Sequence, residues 1–137
     1  MKAHVLQIEQ DEDYGVLGIV CTESMVKLSW HLNKFYDFQL ERYRDVVQIN
    51  EKQEAHFACS KFRDDNQLRE VVLLKNRGTQ GQLIPLWRQM DYFLVEKCEY
   101  GDYVVLEKDL NRSSFVQYCS EIKLDPLLLE DLAVFEL

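Results

Sequence analysis

Proline is scarce in this chain. Pro85 and Pro126 are the only two among 137 residues, and there are five glycines. So few chain breakers leave no Pro/Gly-rich linker and no low-complexity stretch at which one domain could end and another begin. Basic charge is also short, with 16 Lys and Arg against 24 Asp and Glu and a net charge of −8. A protein that tracks a phosphate backbone needs a basic footprint. The densest basic positions, Arg42, Arg44 and the Lys61/Arg63 pair, all have acidic neighbours, which argues against nucleic acid as a partner. The same balance disfavours an anionic membrane surface. No apolar run approaches the roughly 18–20 residues of a membrane-crossing helix. The opening MKAHVLQIEQDEDYG turns acidic too soon for the apolar region of a signal peptide, so a cytoplasmic location is expected.

Cysteine pairing is missing as well. Cys21, Cys59, Cys98 and Cys119 form no C-x-x-C and no cysteine–histidine spacing of a zinc site. Each lies in or beside an apolar strand-like run, so they are expected to be reduced core residues, with no metal and no cofactor. The chain has no G-x-S-x-G, no P-loop, no G-x-G-x-x-G and no H-E-x-x-H, and no residue is assigned a catalytic role.

What is present is a core. Hydrophobic residues make up 47% of the chain and aromatics 12%, which suits one globular domain spanning residues 1–137. Strands are expected at residues 3–9 and 14–21, the second weakened by Gly15 and Gly18, which point to a bulge or a close approach. Thr22-Glu23-Ser24 supplies caps for a helix over 24–36. Its apolar stripe runs through Met25, Leu28, Leu32, Phe35 and Tyr36, widened by Val26 and Trp30, with Lys27, Asn33 and Lys34 in water. Strands follow at 38–49, 55–62 and 68–75, joined by short polar turns that favour an antiparallel meander. The VVLL run of the last marks a central strand. A strand at 91–98, a helix at 103–112 capped by Asp102 and a strand at 115–122 suit a right-handed crossover, with a similar strand–helix–strand order at 14–49. Asp125-Pro126 opens a short C-terminal helix. The apolar residues 127–135 either dock on the parent fold or meet a second subunit. The expected fold is α+β: a mainly antiparallel sheet of about six to seven strands, two main helices on one face and a short C-terminal helix.

The stretch RGTQGQLIPLWRQMDYFLVE at residues 77–96 joins turn chemistry to a signature. Gly78 and Gly81 mark a turn or flexible loop. Pro85 holds Ile84 extended and can open one helical turn towards Met90. Ile84-Pro85, followed by Asp91-Tyr92, resembles the signature of the IPExxxVDY family, small uncharacterised proteins of Bacteroidetes bacteria. Leu86 stands where that family has its glutamate, and Met90 where it has valine, so any role resting on the glutamate is not carried over. Tyr14–Ile19, Leu28–Lys34 and Lys123–Pro126 extend the likeness along the chain. The resemblance implies no activity, because the family has none assigned.

The candidate binding residues are Trp87, Arg88, Asp91, Tyr92 and His31. Asp91 sits at the mouth of a buried strand. It can bind a ligand cation, or it can accept backbone N–H groups from the preceding turn and pair with Arg77 or Arg88. Trp87 is open between packing and recognition, while Trp30 reads as core. His31 has no second ligand-type residue one turn on, since Phe35 stands there. The favoured reading is a non-enzymatic cytoplasmic protein that works through contact with an unidentified protein partner, a closed homodimer being one such contact. The alternative is a small-molecule-binding domain or enzyme, with a pocket between residues 83–92 and helix 24–36 lined by Asp91, Arg88 and His31.

Overall fold

A computed structural model describes residues 14–36, 38–50, 52–66, 69–98 and 107–123. The strand expected at 3–9, Asp102 as a cap, the first part of helix 103–112 and the C-terminal helix from Asp125 lie outside these residues. The elements in order are β1 (Tyr14–Val20), α1 (Met25–Tyr36), β2 (Glu41–Asn50), β3 (Gln53–Asp64), β4 (Arg69–Lys75), a 3-10 turn (Pro85–Trp87), β5 (Tyr92–Cys98), α2 (Glu107–Arg112) and β6 (Tyr118–Ile122).

The strands form one six-stranded sheet in the order β2-β3-β4-β5-β1-β6, with every neighbouring pair antiparallel. The meander expected from the short polar turns is β2 to β5. The first strand does not sit beside the second. β1 is inserted between β5 and β6, so α1 carries the chain back across the whole meander to β2. The strand–helix–strand expected in each half therefore joins strands that are not neighbours. Val71 to Leu74 on β4 are fully buried, as the unbroken apolar run requires of a strand covered on both faces.

Period-two alternation sorts the core into two clusters, one on each face of the sheet. Ile19, Val71, Leu73, Tyr92 and Leu94 point towards Met25, Leu28 and Leu32 of α1 and Leu110 of α2, so both helices share a face. Val16, Phe57, Cys59, Val72, Leu74, Phe93 and Val95 point the other way and pack with Leu83, Ile84 and Met90.

Ser24 opens α1, its hydroxyl accepting the Lys27 N–H at 3.2 Å and its carbonyl the Leu28 N–H at 2.8 Å. The buried stripe is narrower than the expected one. Met25, Leu28, Ser29 and Leu32 are buried, whereas Val26, Trp30 and Phe35 are exposed. Apolar residues span most of this helix's circumference, but one sheet face covers only an arc of roughly 100°. Trp30 is therefore not core. Nor is Asn33 simply wet: its side-chain amide donates to the Leu40 carbonyl at 3.0 Å and its oxygen accepts the Leu40 N–H at 2.8 Å. Asn111 on α2 makes the same pair of bonds to Cys119, at 3.0 and 2.8 Å. Each helix is thus latched to the chain that follows it by one asparagine.

Two ion pairs are embedded in the sheet. Lys61 lies 2.6 Å from Glu70, and Arg69 lies 2.8 Å from Glu96. Glu70 shares the alternation of Val72 and Leu74, and Glu96 that of Leu94, so the two pairs occupy opposite faces.

Candidate functional site

The central stretch is organised by Asn76, which is fully buried. Its main chain donates to the Asp91 carbonyl at 2.9 Å and accepts the Leu83 N–H at 2.7 Å. Its side-chain oxygen accepts the Ile84 N–H at 2.8 Å, and its amide donates to the carbonyls of Trp87 at 3.1 Å and Met90 at 2.9 Å. One side chain therefore satisfies the backbone of a buried irregular segment, which would otherwise carry unpaired polar groups. Ile84 is extended, at φ −125° and ψ 90°, and Pro85 opens the 3-10 turn, as the sequence suggests.

Residues 77–82 are a docked hairpin rather than a flexible loop. Arg77 bridges to Gln82, Gly78 N–H donates to the Gly81 carbonyl at 3.0 Å, and Gly81 adopts φ 78°. Thr79 then pairs with His56 on β3: its N–H donates to the His56 carbonyl at 3.2 Å and its hydroxyl accepts the His56 N–H at 3.0 Å. Close approach explains two of the glycines, Gly78 in this hairpin and Gly18 in β1. A methyl group at Gly78 would lie 2.5 Å from the His56 carbonyl oxygen, and one at Gly18 2.8 Å from the Met90 sulfur.

Of the binding candidates in this stretch, Asp91 and Tyr92 are engaged by the fold itself. The Asp91 carboxylate accepts the Cys21 N–H at 2.9 Å, and its other oxygen lies 3.8 Å from Arg77. The amide comes from the end of β1 rather than from the preceding turn. Tyr92 is buried and its hydroxyl donates to the Glu23 carbonyl at 2.6 Å, tying β5 to the start of α1. Burial pushes its phenol up to about 12, helped by the neighbouring Cys21, Asp91 and Glu23. Trp87 is half-buried against the face opposite the helices, Arg88 is exposed, and Leu86 is 83% exposed. His31 is on the helix face, stacked on Phe115 of that cluster. Trp87 and His31 are therefore held on opposite sides of the sheet and do not line one pocket.

His31 belongs instead to a cleft between α1 and the chain leaving α2. Trp30, His31, Lys34, Phe35, Arg112, Ser113, Ser114 and Phe115 line it, with a volume of about 770 Å³. Its floor is a set of stacked rings. The His31 and Phe115 rings are parallel within 1° at 4.4 Å, Trp30 meets His31 edge-on at 5.1 Å, and Phe35 meets Phe115 edge-on at 6.0 Å. The Lys34 ammonium lies 5.0 Å from the centre of the Trp30 ring. Trp30 is 55% and Phe35 59% exposed, and Val26, one turn before Trp30, is 76% exposed. Sequence patterning hid this cleft because it counted Trp30 and Phe35 with the core stripe. The excess width of that stripe was the available signal.

A second cleft, of about 820 Å³, lies among Tyr36, Phe38, Gln39, Phe62, Arg69 and residues 63–66. Its rim charges are engaged with one another: Arg63 lies 2.7 Å from Asp65, and Asp64 accepts the Asn66 N–H at 3.0 Å. Neither cleft includes any of residues 83–92. Burial pushes the Cys59 thiol up to about 12 and raises that of Cys21, so both are protonated near neutrality and poor nucleophiles. Among the described residues no group of three or more His, Cys, Asp or Glu is placed to hold a metal ion, and no helix is long and apolar enough to cross a membrane. No protein-family model, no curated protein and no solved structure matches the chain.

Proposed function

We propose that this protein is a non-enzymatic binding module that engages a protein partner through the outer face of α1 and the cleft beside it. The observation that carries the reading is the exposed aromatic group of Trp30 and Phe35 resting on the His31–Phe115 stack. Tryptophan and phenylalanine are enriched at protein interfaces, and tryptophan above all at their energetic centres. Here they are braced by neighbouring rings, so little side-chain freedom is left to lose on docking, and pre-ordered anchors bind more tightly than mobile ones. The resemblance of Ile84, Pro85, Asp91 and Tyr92 to the IPExxxVDY signature, and a cytoplasmic location, are part of the same proposal and add no activity to it.

The test is affinity capture from host lysate with the intact protein as bait, beside a Trp30→Ala, Phe35→Ala double variant. Both side chains are more than half exposed, so the double variant is expected to fold, as checked by its melting curve. Loss of a specific captured protein, followed by direct binding of that purified protein to the wild type and not to the variant, supports the reading. Identical capture by both forms overturns it.

A further inference from the structure

We infer that the α1 cleft receives a short acidic protein segment carrying one aromatic or large apolar side chain, an occupant that presupposes the docking face proposed above. The first ground is charge. The chain carries −8 overall, yet among the described residues the formally charged ones lining this cleft are Lys34 and Arg112, with no carboxylate. A strongly acidic surface repels acidic partners, so a local cationic site selects where such a partner can land and in which register. The cation–π contact with Trp30 holds the Lys34 ammonium beside the aromatic floor. Arg112 ends α2 on the opposite wall and offers a planar fork suited to a carboxylate.

The second ground is shape. A small-molecule site usually encloses most of its ligand, roughly 70–90% of the ligand surface. The aromatic walls of this cleft, Trp30 and Phe35, are themselves more than half in water. It can cover one side of a chain segment while the segment's other side stays solvated. An aromatic or apolar side chain would lie against Trp30 and Phe35, and flanking carboxylates would reach Lys34 and Arg112. A continuous polyanion is a poor fit, since two cations on an acidic protein cannot follow a phosphate backbone.

The experiment is selection of a random peptide display library on the intact protein, with counter-selection on a Lys34→Glu, Arg112→Glu variant. Enriched peptides are expected to place Asp or Glu within two residues of Trp, Tyr or Phe. The synthetic consensus peptide should bind the wild type, lose affinity on the order of tenfold on double charge reversal, and weaken as salt is raised. The inference is overturned by an enriched consensus without acidic residues, by no enrichment, or by affinity indifferent to charge reversal. It is also overturned if sedimentation shows a self-associating protein whose association is abolished by Trp30→Ala, which makes a second copy the occupant. Those failures leave the docking face standing if lysate capture still depends on Trp30 and Phe35. Capture indifferent to both residues removes the docking face itself.

Discussion

Replacing Asn76 by alanine should be among the most damaging single substitutions in the described structure. Three side-chain hydrogen bonds disappear together, from the Ile84 N–H and to the Trp87 and Met90 carbonyls. A hydrogen bond contributes about 1 kcal/mol net, but a buried group stranded without a partner costs about 1–3 kcal/mol. The three together come to roughly 3–5 kcal/mol, a large share of the roughly 5–15 kcal/mol that stabilises an ordinary domain. With an unfolding entropy near 2.1 cal/mol/K per residue, a chain of this length loses about 0.3 kcal/mol per degree, so Tm should fall by roughly 10–17 °C. Aspartate should not rescue it. One carboxylate oxygen can keep the Ile84 N–H, but the other would face two carbonyl oxygens that now accept hydrogen bonds from the amide. Scanning calorimetry gives the global loss, and hydrogen exchange at the Ile84 amide gives the local one. A Tm drop of less than about 3 °C, or an Ile84 amide as protected in the variant as in the wild type, would refute the claim that this side chain holds the segment.

Two tyrosines should respond oppositely to loss of the hydroxyl. The Tyr36 hydroxyl is buried without a hydrogen-bond partner among the described residues, so Tyr36→Phe should be neutral or raise Tm; Tyr92→Phe loses the bond to the Glu23 carbonyl and should cost about 1 kcal/mol. Burial raises both phenols from 10.0 to about 12, so the folded chain keeps protons that the unfolded chain releases. Stability should therefore fall as pH rises from about 10 to about 12, and urea midpoints measured across that window should drop less steeply in the Tyr92→Phe variant. Glu70→Leu removes the fully buried partner of Lys61 and should cost about 3–5 kcal/mol in urea unfolding, whereas a joint Glu70→Leu, Lys61→Met change should recover most of the loss. Gly78→Ala drives a methyl group against the His56 carbonyl and Phe57 ring and should lower Tm more than Gly81→Ala, which meets open space and bears only the strain of its φ of 78°.

Much of the architecture was legible in the residues because it depends on local periodicity. The polar turns at 50–53 and 63–66 and the alternation between them made the β2-to-β4 meander readable, and VVLL marked β4 as interior. Ser24 and the spacing of Met25, Leu28 and Leu32 fixed α1, and Pro85 announced the extended-then-turned backbone at Ile84. The insertion of β1 between β5 and β6 left no local trace, since strand order depends on which distant edges are free. The ion pairs of Glu70 and Glu96 were hidden for a similar reason: each acid looks like a polar strand position until β3 brings Lys61 to the first and β4 brings Arg69 to the second.

The candidate site divides along the same line. Composition and missing motifs, taken alone, directed attention to binding surfaces rather than to a catalytic group, and the sequence singled out His31 and the central stretch from Trp87 to Tyr92 while it counted Trp30 and Phe35 with the core. Tertiary structure decided what those residues do. It buried Tyr92, tied Asp91 to the end of β1, and put Trp87 on the far side of the sheet from His31. It also left Trp30 and Phe35 outside. A helix with apolar residues around most of its surface presents several faces to bury, and the sheet can cover only one of them. Periodicity therefore determined that α1 would be a helix, and only packing determined which of its aromatic residues would stay exposed.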